Sequence, residues 1–116
     1  MSEHNDTEHK DQDELREQVR QLALAIPRGK VISYGALGKR CNPPISGYIC
    51  GRIMGQILEG VPWWRIVAKD GTLPISKRGP HHALKQRDLL AEEGVEFDDD
   101  SKIQRRFFED EQPTLF

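Results

Sequence analysis

The feature that most limits the fold of this chain is its punctuation. Proline or glycine recurs at Pro27 and Gly29, Pro43 and Pro44, Gly60 and Pro62, Gly71, Gly79 and Pro80, and Gly94. Proline has no N–H to give and restricts the residue before it, so it stops helices and central strands. Glycine takes the left-handed turns that end them. Everything between residues 27 and 94 must therefore be assembled from short elements. With 116 residues, that describes one small domain with tails.

Hydrophobic spacing assigns those elements. Leu15, Val19, Leu22, Ala23 and Ile26 fall on one face of a helix that Pro27 and Gly29 end. Residues 1–12 are polar, acidic and aperiodic, and read as a disordered tail. Lys30 to Ser33 has strand character, and Ser33 can cap a short helix from Tyr34 to Cys41. After the break at Asn42-Pro43-Pro44, Ser46 can cap a second helix through about Leu58, with Ile49, Cys50, Ile53, Met54 and Ile57 inward. Two short helices joined by a tight turn, the second carrying Arg52, have the form of a helix-turn-helix. An apolar strand from Arg65 to Ala68, a turn at Lys69-Asp70-Gly71 and a return from Leu73 to Ser76 read as a wing. Another helix runs from Pro80 to Gly94, and a last one is expected from Ser101 to about Glu109. The expected class is mostly α with a small β wing, a winged helix-turn-helix over residues 13–97 followed by an acidic tail over 98–116.

Charge points to a partner. The net charge is only −2, but residues 28–87 hold eleven Lys or Arg against two acids, while residues 1–27 and 88–116 are acidic. A basic middle suits a polyanion, most simply nucleic acid, because each phosphate contact releases condensed counterions. The alternative is a solvated surface balanced by its acidic neighbours. No apolar run of 18 residues exists and Met1 opens a polar stretch, so neither a membrane span nor a secretory signal is expected. Cys41 and Cys50 lack metal-ligand company and read as reduced thiols of a cytoplasmic protein, with no metal or cofactor called for.

Residues 61–65, Val-Pro-Trp-Trp-Arg, contain both tryptophans of the chain. An indole can stack on a nucleobase for roughly 1–3 kcal/mol, or anchor a core. Consecutive side chains in a loop point to different sides, so one ring can line a site while the other packs. Arg65 can bind phosphate or brace the loop, and bracing is the favoured reading.

Several segments together resemble the DNA-binding domain of the O6-alkylguanine-DNA alkyltransferases. They are Ile26-Pro27-Arg28-Gly29-Lys30-Val31-Ile32-Ser33-Tyr34-Gly35, Met54, Pro62-Trp63-Trp64-Arg65-Ile66-Val67 and Leu89-Leu90-Ala91-Glu92-Glu93-Gly94-Val95. In that family a Pro-Cys-His-Arg motif carries the cysteine that accepts the alkyl group and the histidine that helps form its thiolate. Trp63 and Trp64 stand in those two positions here, and indole is neither nucleophile nor base. The subgroup with tryptophan in the cysteine position is the alkyltransferase-like proteins. That resemblance implies a non-enzymatic protein of the cytoplasm and nucleoid, without cofactor and monomeric. It would bind O6-alkylguanine in duplex DNA through the minor groove, flip the base, and pass the lesion to nucleotide excision repair.

The same resemblance assigns positions. Tyr34 matches the tyrosine that crowds the 3′ phosphate of the flipped nucleotide, and Trp63 the wall that meets the alkyl group. Met54, Val67 and Ser76 fall at pocket-lining positions, and Arg78 on the loop beside the lesion, where a cation–π contact with the purine is available. Lys77 and Arg78 read equally well as phosphate contacts. Ser46, Tyr48 and Arg52 belong to the DNA-contacting helix. Tyr48 takes the place of the family's arginine finger and can wedge into the stack, and Arg52, one turn on, suits a phosphate. The run Gln56-Ile57-Leu58-Glu59-Gly60 lacks the family's Asn-Pro turn. Finally, Gln112, Leu115 and Phe116 close the chain in a pattern similar to peptides that dock on the bacterial replication sliding clamp. The competing classes are a plain helix-turn-helix regulator and an alkyltransferase using Cys41 or Cys50.

Overall fold

The computed structural model describes the backbone of residues 2–73 and 80–109, and the side chains of 12–73 and 81–109. In chain order the elements are α1 (Ser2–Leu24), β1 (Ile32–Ser33), α2 (Tyr34–Lys39), α3 (Gly47–Met54), a 3-10 turn (Trp63–Arg65), β2 (Ile66–Val67), α4 (Pro80–Glu92) and a second 3-10 turn (Arg105–Phe107). Positions 76–78 and 112–116 lie outside the described residues.

α1 packs the face that its periodicity selects: Val19 and Ala23 are fully buried, and Ile26 nearly so. The helix begins at Ser2 rather than after a disordered 1–12 segment. Residues 2–12 contain no proline or glycine and several good helix formers, and once the apolar half is docked, extension adds turns without a new nucleus.

The helix-turn-helix forms around its caps. Ser33 Oγ accepts from the Ala36 N–H at 3.1 Å and Ser46 Oγ from the Ile49 N–H at 3.1 Å. The intervening turn contains a cis Asn42–Pro43 bond. It is fastened to α1 by Gln18, whose Oε1 accepts from the Asn42 N–H at 2.8 Å and whose Nε2 donates to the Asn42 carbonyl at 3.2 Å. Gly38 is required where the two helices meet, since a Cβ there would lie 2.4 Å from the Ile45 carbonyl oxygen. α3 stops at Met54, four residues short of the expected Leu58. Its inner face is Cys50, Ile53 and Met54, whereas Ile49 is 43% exposed.

β1 and β2 pair in parallel, with Ile32 opposite Ile66 and Ser33 opposite Val67. Alternation along these strands divides the interior in two. Ile32 and Ile66 join the core of α1, α2 and α3, while Val31 and Val67 join a second core with Leu90, Val95, Ile103, Phe107 and Phe108. β2 also leads into the expected wing turn at Lys69-Asp70-Gly71, where the Ala68 N–H donates to the Thr72 carbonyl at 3.0 Å and the Ile103 N–H to the Gly71 carbonyl at 2.9 Å, while the return from residue 74 lies outside the described residues.

Residues 98–109 are part of the fold rather than of a tail. Phe107 and Phe108 are buried side by side, and Val31 exchanges backbone bonds with Phe107 and Glu109 at 2.9 and 2.8 Å. That pairing needs extended chain on both sides of a single 3-10 turn, which replaces the expected helix over 101–109.

Candidate nucleic-acid interface

The two tryptophans occupy the 3-10 turn that leads into β2, closed by the Arg65 N–H on the Pro62 carbonyl at 3.0 Å. Successive residues of so tight a turn diverge. Trp63 packs against the first core and Trp64 against the second, both half-buried, their rings edge-to-face at 5.9 Å and 85°.

A buried carboxylate holds this turn. Glu93 lies just beyond α4, its side chain 3% exposed, and accepts from four donor groups. Trp64 Nε1 donates at 2.7 Å, the Gly29 N–H at 2.8 Å, and Arg65 through Nε at 3.0 and 3.2 Å and through a terminal nitrogen at 2.8 Å. The other terminal nitrogen of Arg65 donates to the Ile26 carbonyl at 2.8 Å. Burial opposes ionisation of Glu93, but the bonds from Arg65, Gly29 and Trp64 outweigh it and hold the carboxyl below the usual range. Arg65 is therefore a brace, as the sequence reading favours, and Glu93 is structural. Gly29 has φ +84°, and a Cβ there would lie 3.3 Å from the Glu93 carbonyl oxygen, so the close approach depends on glycine.

α4 contributes two further groups that sequence reasoning does not single out. Gln86 is 1% exposed and donates from Nε2 to the carbonyls of Trp64 and Ile66, both at 3.1 Å. Its signal is a polar residue at an inward position of the Ala83, Gln86, Leu90 spacing, since a buried amide needs a partner. His82, one turn before it, lays its imidazole on the Trp63 indole, with centroids 4.2 Å apart and planes 30° apart. Nothing in the local pattern marks that contact.

On the helix-turn-helix, Tyr48 is 64% exposed and Arg52, one turn later, stands with its guanidinium 6.0 Å from the Tyr48 ring centroid. These two form one outward face. Ser46 serves as the cap of α3, and Tyr34 opens α2, partly buried against the first core. Met54 and Val67, expected to line a pocket, are 1% and 0% exposed and belong to the two cores, so neither presents surface. Both lie on the inward side of their elements, the side that closes the interior. Ser76, Lys77 and Arg78, and Gln112, Leu115 and Phe116, fall outside the described residues.

Cys41 and Cys50 are free and buried. Burial raises both thiols, that of Cys50 to about 12 with the neighbouring Cys41 adding to the rise. Neither is a thiolate near neutral pH, which is the form that attacks an alkyl group. Among the described residues no cluster of His, Cys, Asp or Glu could hold a metal ion, and no helix is long and apolar enough to cross a membrane.

A capped helix-turn-helix with an outward Tyr-Arg face, packed beside an aromatic turn that a buried Glu-Arg pair braces, defines a DNA-binding domain of the alkylguanine-alkyltransferase type. Residues 14–95 match the model of the 6-O-methylguanine DNA methyltransferase DNA-binding domain, and the chain belongs to that family. It is 36% identical over 86 residues to the DNA base-flipping protein of Escherichia coli K12, a match covering 72% of this chain and 64% of that one, so it spans under two thirds of that relative. With alkyltransferase-like protein 1 of Schizosaccharomyces pombe it shares 36% identity over 87 residues, covering 72% of this chain and 79% of the relative. The fold is similar to that of S. pombe Atl1 in complex with damaged DNA containing O6-carboxymethylguanine, with a TM-score of 0.70 and 26% identity over 87% of this chain and 97% of that one.

Proposed function

We propose that this chain is a non-catalytic sensor of O6-alkylguanine in duplex DNA. The observation that carries the reading is the state of Trp63: a partly buried indole that keeps some exposure, on a turn locked from beneath by Glu93, Arg65 and Gln86. A rigid flat wall of this kind fits an extruded alkylpurine. O6-alkylation weakens pairing and so lowers the few kcal/mol that extrusion requires, and stacking on an indole returns roughly 1–3 kcal/mol.

In this reading α3 enters the minor groove, Tyr48 wedges into the gap left by the base, Arg52 meets a phosphate and Tyr34 crowds the phosphate 3′ to the flipped nucleotide. Lys77 and Arg78 add contacts beside the lesion, with Ser76 on the same loop. Kinship with proteins named for base flipping and for alkyltransferase likeness supports the assignment. Since no thiol is available in ionised form, the lesion is left intact for nucleotide excision repair. The protein acts as a monomer in the cytoplasm, on the nucleoid, and Gln112, Leu115 and Phe116 tether it to the replication sliding clamp.

The regulator alternative assigns no task to Trp63, and the alkyltransferase alternative requires an ionised cysteine that burial suppresses. One experiment separates all three. Duplexes with and without a single O6-methylguanine are titrated, the protein is weighed intact, and the recovered DNA is checked for the lesion. Tighter lesion binding with unchanged protein mass and intact lesion is expected. Equal affinities support the regulator, and a mass gain supports the alkyltransferase.

A further inference from the structure

α4 lies along the Trp63–Trp64–Arg65 turn and touches it at three levels. Past its C-terminal end, Glu93 holds the Trp64 Nε1 and the Arg65 guanidinium. In its middle, Gln86 holds the carbonyls of Trp64 and Ile66. In its first turn His82 meets the indole of Trp63, centroids 4.2 Å apart and planes inclined by only 30°. Its Nε2 is buried, so the imidazole lies against the indole instead of projecting into solvent. Trp64 meets Trp63 edge-to-face at 85°, a contact that fixes position but covers no stacking face in parallel.

An aromatic ring has two faces, and the imidazole occupies one of them. The indole is then held from two sides, by an imidazole tilted 30° to its plane and by a near-perpendicular indole. A wall fixed in this way loses little freedom when a base arrives, and preorganisation of that kind appears as affinity. Undamaged guanine that stays in the helix gains nothing from it.

We propose that His82 is a specificity-determining residue of the lesion site: by backing Trp63 it fixes the plane on which an extruded O6-alkylpurine stacks. This rests on Trp63 being the lesion-facing wall, as argued above. Removing the ring while keeping the helix should reduce the preference for damaged over undamaged DNA and leave the undamaged-DNA affinity unchanged. The measure of an aromatic pair, converted to a ratio, is about three- to tenfold.

The test titrates wild type, His82→Ala, His82→Phe and His82→Gln against duplexes with and without one O6-methylguanine, with melting temperatures recorded alongside. The lesion preference is expected to drop about three- to tenfold in Ala and Gln and to persist in Phe, which keeps a flat ring. An unchanged preference in Ala and Gln overturns the role of His82 while the lesion reading stands. An equal weakening on both duplexes also overturns it, since that marks a general structural part. Should His82→Ala not fold, the comparison of Phe with Gln decides: divergence supports the proposal and equality overturns it. Equal wild-type affinity for the two duplexes removes the reading on which the proposal rests.

Discussion

At the scale of single residues, Glu93 holds the tryptophan turn in place. Its carboxylate joins the adjacent Trp64 and Arg65 to the Gly29 backbone, all far from Glu93 in sequence. Removing one partner of a buried ion pair leaves the other charge unpaired, at a cost of about 3–5 kcal/mol. Glu93→Ala should therefore lower the denaturant midpoint strongly and loosen the tryptophan turn, visible as altered indole emission. The pH dependence has a definite sign. The folded carboxyl titrates below its ordinary value, so its stabilisation is full above the usual glutamate range and is lost as pH falls through the lower folded value. Unfolding titrations at about pH 5 and about pH 3 should show a loss in wild type that is smaller in Glu93→Gln. The sequence shows the tryptophans, Arg65 and Glu93 plainly. Their geometry becomes predictable only through the family resemblance, because a carboxylate 28 residues from its guanidinium carries no local signal.

At the scale of elements, the helix-turn-helix could be read from breakers and caps alone. Ser33 and Ser46 cap α2 and α3 as their positions imply. The rest escaped local reading for physical reasons. The apolar stretch at β2 fits a hairpin as well as a parallel pair, and the choice is made by α4 and the Phe107-Phe108 segment closing the second core. The inward turn of Val67 follows from the same closure, and that of Met54 from the packing of the first core. On α3 the outward pair should separate by function. Arg52→Ala should weaken binding to damaged and undamaged duplexes alike and reduce the slope of log K against log salt by about 1. Tyr48→Ala should instead weaken lesion binding selectively, since only an extruded base leaves a gap to fill. Competition titrations at several salt concentrations measure both.

At the scale of the whole molecule, charge and termini set the context. A basic middle flanked by acidic ends lets one small chain approach DNA while keeping a net charge of only −2. Charge segregation was visible at once, because it needs only counting. What it could not show is that residues 98–109 fold back to complete the second core. The proposed clamp contact belongs to this scale as well. Deleting residues 112–116 should abolish co-purification with the sliding clamp and leave DNA affinity unchanged, and loss of both would place the segment within the fold.

Trp63 is proposed to receive the extruded alkylguanine. The most direct test of this is the ratio of affinities for duplexes with and without one O6-methylguanine, measured for wild type and Trp63→Ala at the same salt. A lost stacking partner of roughly 1–3 kcal/mol predicts that the ratio falls by about 5- to 150-fold while affinity for undamaged DNA holds. A ratio that survives the substitution would contradict the account.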